Sequence, residues 1–325
     1  MIYLELLIGF ALLLAGGEFL VRGAVAVARR LEVSPLLVGI ILVGFGTSLP
    51  ELVASVKAAL AGAPGIAIGN VVGSNICNIL LILGATAVIY PVACPRGALL
   101  RDGSMVVAAS VLVIALCYSG WLDRSEGLIL VVLVVVYAVG SYLIDRRSQN
   151  AARTIHEAEV ELVEPLAGSL WTGLAVTAGG IAAVILGAEL LVDAAIELAE
   201  AFGVDDTVVG LTVVALGTSL PELATGLVAA FRKQSDIALG NVLGSNTFNL
   251  LGILGTTALI KPIPIPASLL GFDLWAMLGA TLLLFVAAVT GWRINRQEGV
   301  LFLALYVGYI VILVSPGLHS ALEMH

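Results

Sequence analysis

The chain has 325 residues, 60% of them hydrophobic and 12% charged, with a mean hydropathy of +1.11. Charged residues make up about a quarter of an ordinary soluble protein, so this composition leaves no room for a sizeable soluble domain, and a net charge of −8 argues against a nucleic-acid partner. Cys77, Cys94 and Cys117 stand at unrelated spacings, which supports neither a disulfide framework nor a thiolate metal centre; they read as small apolar fillers.

Apolar runs near the ~20 residues that cross a bilayer core recur along the whole length. They predict ten spans, at 2–28, 35–60, 66–90, 102–119, 126–144, 168–200, 207–231, 237–260, 272–291 and 298–315. The N-terminus, Met1 to Glu5, lacks the basic region of a cleaved leader, so span one is expected to stay in the membrane. Turns such as Gly62-Ala63-Pro64-Gly65 and Pro262 to Pro266 separate the spans. The longest polar stretch, 145–167, is basic first (Arg146, Arg147, Arg153) and then acidic (Glu157, Glu159, Glu161, Glu164). It reads as a solvated linker between two halves, 1–144 and 168–325.

The loops opposite the N-terminus hold twelve basic residues, among them Arg29, Arg30, Arg146, Arg147, Arg232 and Lys233, whereas its own side holds Lys57, Arg124 and Lys261. The positive-inside rule assigns the twelve to the cytoplasm. Both termini are therefore expected outside and the linker inside, in a cell membrane. Five spans per half is an odd number, so the second half enters from the opposite side. The expected fold is an all-α polytopic membrane protein, ten transmembrane helices arranged as two inverted-topology five-helix repeats. Secondary transporters use that architecture, with sites near the midplane at the repeat interface.

Residues 35–91 and 206–262 align without a gap and share 29 of 57 positions, which identifies a duplication. What the copies keep is polar. Gly46-Thr47-Ser48-Leu49-Pro50-Glu51 recurs as Gly217-Thr218-Ser219-Leu220-Pro221-Glu222, and Gly73-Ser74-Asn75 with Asn78 recurs as Gly244-Ser245-Asn246 with Asn249. A carboxylate in mid-membrane costs about 2.5–3.5 kcal/mol on insertion scales and marks an ion or substrate path by default. Pro50 and Pro221 lack an N–H and crowd the carbonyl four residues back, so both helices should break beside the acids. Broken backbone at that depth persists only where it lines a cavity or is buried in protein.

The donors so collected are carboxylates, hydroxyls, amides and carbonyls, all hard oxygens, which suit Ca²⁺ with its 6–8 flexible oxygen ligands. Zinc, copper or nickel would call for imidazole or thiolate. Two glutamates carry two negative charges, matched by one Ca²⁺ or two Na⁺. A pocket that accepts either ion and is stable only when loaded is an exchanger. An enzyme is not indicated: no nucleophile–base pair, phosphate loop or cofactor motif is present, and His156, His319 and His325 lie in the linker or tail.

With each motif present twice, the chain resembles the sodium/calcium exchanger superfamily, specifically its prokaryotic calcium/sodium antiporters without a regulatory domain. The resemblance implies Ca²⁺ and Na⁺ as transported substrates, lipid as the surroundings, no cofactor and no protein partner. It implies that Glu51 and Glu222 are the central Ca²⁺ ligands. Thr47, Thr218, Ser48, Ser219, Ser74, Ser245, Asn78, Asn249 and the carbonyls of Gly44 and Ala215 would add oxygens. Asn249 in place of an acid speaks against K⁺ use, and the Gly-Asn-Ala…Glu motif of proton/calcium exchangers is missing. A proton-coupled antiporter using the same carboxylates is the alternative, and a passive cation channel a third.

Other polar residues have structural readings. Asn70, Asn75, Asn241 and Asn246 would satisfy broken helix ends. Glu18 can pair with Arg22 one turn on, while its copy Glu189 faces Asp193. Asp102 and Asp273 read as caps of spans four and nine. Glu197, Glu200, Asp205 and Asp206 form a solvated outer rim.

Overall fold

The computed structural model describes residues 2–31, 45–147, 169–231, 233 and 235–315. It is almost wholly helical. The helices are α1 Ile2–Arg30, α2 Leu49–Ala61, α3 Pro64–Ile89, α4 Arg96–Cys117, α5 Arg124–Arg147 and α6 Leu170–Phe202, followed by α7 Asp206–Thr218, α8 Leu220–Phe231, α9 Ile237–Ile260, α10 Leu269–Gly291 and α11 Arg296–Val314. Among the described residues, eight helices are each long and apolar enough to cross a membrane. The pair α7–α8, bent by 48° at Ser219, makes a ninth. Span two is described from Phe45 onward, as a turn leading into α2. Its stretch from Pro35 to Gly44, most of the linker and the three histidines lie outside the described residues.

α3 and α9 form the centre. Within their most apolar windows 78% and 83% of residues are buried, against 22% for α5 and α11, which form the rim. The rim helices expose apolar side chains such as Leu128, Val132, Val136, Val300 and Val307, as a lipid-facing surface requires. Two short antiparallel strand pairs stitch the halves together. β1 (Val92–Ala93) pairs with β4 (Arg293–Ile294), and β2 (Trp121–Leu122) pairs with β3 (Ile263–Pro264). α4 separates β1 from β2, so the two pairs sit at opposite ends of the bundle, roughly 33 Å apart at 1.5 Å per residue.

α1 and α6 pack along their length in opposite directions. Gly9 meets Gly187, Gly16 meets Gly180 and Gly23 meets Gly173, so one number rises as the other falls. Small residues at such a seam let backbones touch, which in lipid replaces the missing hydrophobic drive. At Gly180 a Cβ would stand 2.5 Å from the Leu20 backbone nitrogen.

Spans four and nine start earlier than expected, at Arg96 and Leu269, and this corrects the reading of their acids. Asp102 and Asp273 lie inside wide π turns, Leu99–Gly103 and Leu269–Asp273, with no capping hydrogen bond. Their partners are on the rim helices. Tyr137 donates to Asp102 and Tyr309 to Asp273, each at 3.0 Å. Asp102 also holds Arg101 through contacts of 2.7 and 3.1 Å. The repeated pairs pin α5 to α4 and α11 to α10. Tyr309→Phe removes a donor from a fully buried carboxylate, where a bond to a charged group is worth ~1.5–3 kcal/mol. Thermal unfolding in detergent should therefore come earlier for Tyr309→Phe, and an unchanged melting temperature would refute the pinning role.

Candidate functional site

The break between α7 and α8 falls where proline demands, and α2 begins at the matching position. Ser48 (φ −89°, ψ 11°) and Ser219 (φ −82°, ψ 9°) stand outside helical geometry just before the turn that carries Pro50 and Pro221. α2 and α8 begin with Glu51 and Glu222 in their first turns, where the positive end of the helix dipole favours a carboxylate. Both glutamates are completely buried.

The side chains cross between the halves reciprocally. Ser48 Oγ donates to Glu222 Oε1 at 2.9 Å, and Ser219 Oγ donates to Glu51 Oε1 at 3.0 Å. Thr47 likewise reaches Glu222, while the Thr218 hydroxyl is given to Asn70 Oδ1 at 3.0 Å. Each carboxylate is thus held by the serine hydroxyl of the other motif, and the two are close enough for their charges to interact. Ser245 Oγ adds a contact to Glu222 at 3.4 Å. Asn78 and Asn249 enter from wide π turns in α3 and α9, Cys77–Leu83 and Phe248–Ile253, a distortion frequent at functional sites. Asn78 Nδ2 donates to Asn246 Oδ1 at 2.9 Å, again across the halves.

Several buried oxygens are left over. Among the described residues, Glu51 Oε2, Glu222 Oε2, Ser74 Oγ, Asn78 Oδ1 and Asn249 Oδ1 have no hydrogen-bond partner. Each such group costs about 1–3 kcal/mol, so a cluster of them calls for a ligand. Among the described residues no three His, Cys, Asp or Glu side chains gather at one point, so the charge here is that of the glutamate pair and the other donors are neutral. Phe45 stacks on Phe248 at 4.5 Å between centroids, closing apolar contact beside this oxygen cluster.

Of the four asparagines expected to satisfy broken helix ends, Asn70 does so, whereas Asn75 and Asn241 do not. Asn70 Nδ2 donates to the Glu51 carbonyl at 3.1 Å and to Ser55 Oγ at 2.9 Å, while its Oδ1 accepts from Thr218 Oγ1 at 3.0 Å, so it braces both breaks. Asn75 Nδ2 is turned onto Val71 O at 2.7 Å. Asn246 donates to Asn75 O at 3.3 Å, whereas the Asn241 amide has no hydrogen-bond partner among the described residues.

Two expectations change. Ala215 O accepts from Ser219 N at 3.1 Å and lies 3.3 Å from the Thr218 hydroxyl; Gly44 lies outside the described residues. Glu189 does not rest beside Asp193 alone: Lys57 Nζ, on α2, lies 2.7 Å from its Oε1. Glu18 keeps Arg22, as expected. Of the outer rim, Glu197, Glu200 and Asp205 are exposed. Asp206 instead turns inward and accepts from the N–H groups of Gly65 and Ile66 at the start of α3. Sequence reasoning missed Ser55, Lys57 and the two tyrosines. The tyrosine signal was available, because Asp102–Tyr137 and Asp273–Tyr309 repeat at nearly equal spacing.

Fold and site together define a multi-pass membrane protein built around a duplicated, buried oxygen cluster. Its residues 1–143 and 172–315 match the sodium/calcium exchanger protein family. It is 35% identical over 312 residues to CaxA of Alkalimonas amylolytica, covering 95% of this chain and 97% of that one. It is 34% identical over 342 residues to the sodium/calcium exchanger MaX1 of Methanosarcina acetivorans, with 96% and 98% covered. The solved sodium-calcium exchanger NCX_Mj, soaked with Na⁺ and Sr²⁺, superposes with a TM-score of 0.67 at 33% identity, covering 96% of this chain and 99% of the other. The chain belongs to the sodium/calcium exchanger family.

Proposed function

We propose that the protein exchanges Ca²⁺ for Na⁺ across the membrane by alternating access. The observation that carries this reading is the reciprocal hold of Glu51 and Glu222 by Ser219 and Ser48, with one oxygen of each carboxylate left over. Two charges, ringed by neutral hydroxyl and amide oxygens, match one Ca²⁺ or two Na⁺. Binding would run through Glu51 and Glu222, with Thr47, Thr218, Ser48, Ser219, Ser74, Ser245, Asn78 and Asn249 completing the shells.

In this reading the ten spans form two inverted five-helix repeats, 1–144 and 168–325, joined by a cytoplasmic linker, with both termini outside. Support comes from the antiparallel course of the equivalent helices α1 and α6 and from the exchanged strand pairs at opposite ends. The strand pairs also join loops that the basic-residue bias puts on one side of the membrane. α1 and α6 carry no strand, so they can slide as a unit past a frame clipped at both ends.

The test uses proteoliposomes loaded with Na⁺. An outward Na⁺ gradient should drive uptake of radiolabelled Ca²⁺. Uptake that ignores Na⁺ and follows a pH gradient would replace this reading with proton coupling, and downhill flux without a counter-ion would indicate a channel. Because Asn249 keeps the cluster at two charges, exchange should be the same with K⁺ present or replaced by choline. A K⁺ requirement would contradict the charge assignment.

A further inference from the structure

The two halves differ in the ionic contacts of α1 and α6. Glu18 and Glu189 are copies at the offset of 171, on α1 and α6, but their partners are not equivalent. Glu18 is bound by Arg22 on its own helix. Glu189 is bound by Lys57 of α2, at 2.7 Å, with the two side chains 34% and 47% exposed. The counterpart of Lys57 in the second half is Val228, which carries no charge. The α1–α6 pair is thus tied ionically to α2 through Glu189, whereas the matching position on α1 ties only to itself.

Lys57 follows Glu51 by six residues on a 13-residue helix, so the tie acts on the same rigid rod that presents the carboxylate. Asp193, one turn beyond Glu189, adds to the field that holds the ammonium. Resting on the alternating-access reading above, we propose that the Lys57–Glu189 pair is a one-sided latch: it holds the α1–α6 unit against the Glu51 rod in the arrangement seen here. Lys57 is then a positioning residue that sets how the protein divides between its two access states. No equivalent charge opposes it from the second half, so the two states are unequal by construction.

The test measures the division directly. Spin labels placed by Tyr118→Cys and Glu200→Cys report the distance between α4 and α6 at the same end of the bundle, and the three native cysteines are buried. Double electron–electron resonance on the full chain in lipid nanodiscs should give two distance populations. Lys57→Met and Glu189→Gln should each move their ratio in the same direction by up to about fivefold, the upper range for a partly exposed pair. The double variant should move it no further than either single one, and the charge exchange Lys57→Glu with Glu189→Lys should restore it. A single population throughout, an unchanged ratio, or additive shifts would overturn the latch. Failure of Na⁺-driven uptake with the ratio still responding would remove the exchange reading and leave the latch standing.

Discussion

Glu222→Gln, reconstituted into proteoliposomes, will take up no more Ca²⁺ on a Na⁺ gradient than empty vesicles, and Glu51→Gln will behave alike. The loss should exceed about 100-fold, since even residues that merely support a metal ligand are worth 10–100-fold. The amide keeps the size of the side chain and one acceptor oxygen, so Ser48 and Ser219 retain a partner and the fold survives. What disappears is half of the charge that offsets stripping water from a divalent ion. The substitutions also remove a buried charge, so both variants should melt at or above the parent temperature. Wild-type uptake in either variant, with normal folding, would end the claim that these two carboxylates bind the substrate.

Gly180→Leu should be the most damaging change away from the site. The obstacle is the backbone of α1 at Leu20, 2.5 Å from a new Cβ, and backbone cannot rotate aside. Overpacking ordinarily costs about 1–3 kcal/mol; a forced separation of two long helices lies at or beyond the top of that range. A fall in melting temperature of more than roughly 5 °C is expected, with Ca²⁺ exchange lost because the pair no longer moves as one body. A leucine at Gly179, one position on, meets open space and serves as the control. Equal behaviour of the two variants would show that the α1–α6 seam is looser than the close approach implies.

Much of this was legible in the sequence for a specific reason. Duplication prints the same constraint twice, so Glu51 and Glu222 stand out from a background in which single buried acids say little. Proline before each acid marks the break through the absence of an N–H, a local property needing no tertiary knowledge. Side-chain partners were less legible. Asp102 and Asp273 looked like caps because they stood near predicted helix starts, but the π turns carry the helices several residues further back. Glu189 read as a structural pairing residue, but its partner could not be named, because Lys57 comes 132 residues earlier and only packing brings them together. Asp206 looked solvated because sequence reports a helix start, not that another helix begins against it.

The strand pairs have a consequence for how the protein is made. β1 finds its partner in β4 and β2 in β3, and the serine of each motif finds the glutamate of the other. When the first half has left the ribosome, none of those partners yet exists. A newly inserted N-terminal half must therefore wait in the bilayer with an orphan acid and two unmated loops until its sibling arrives.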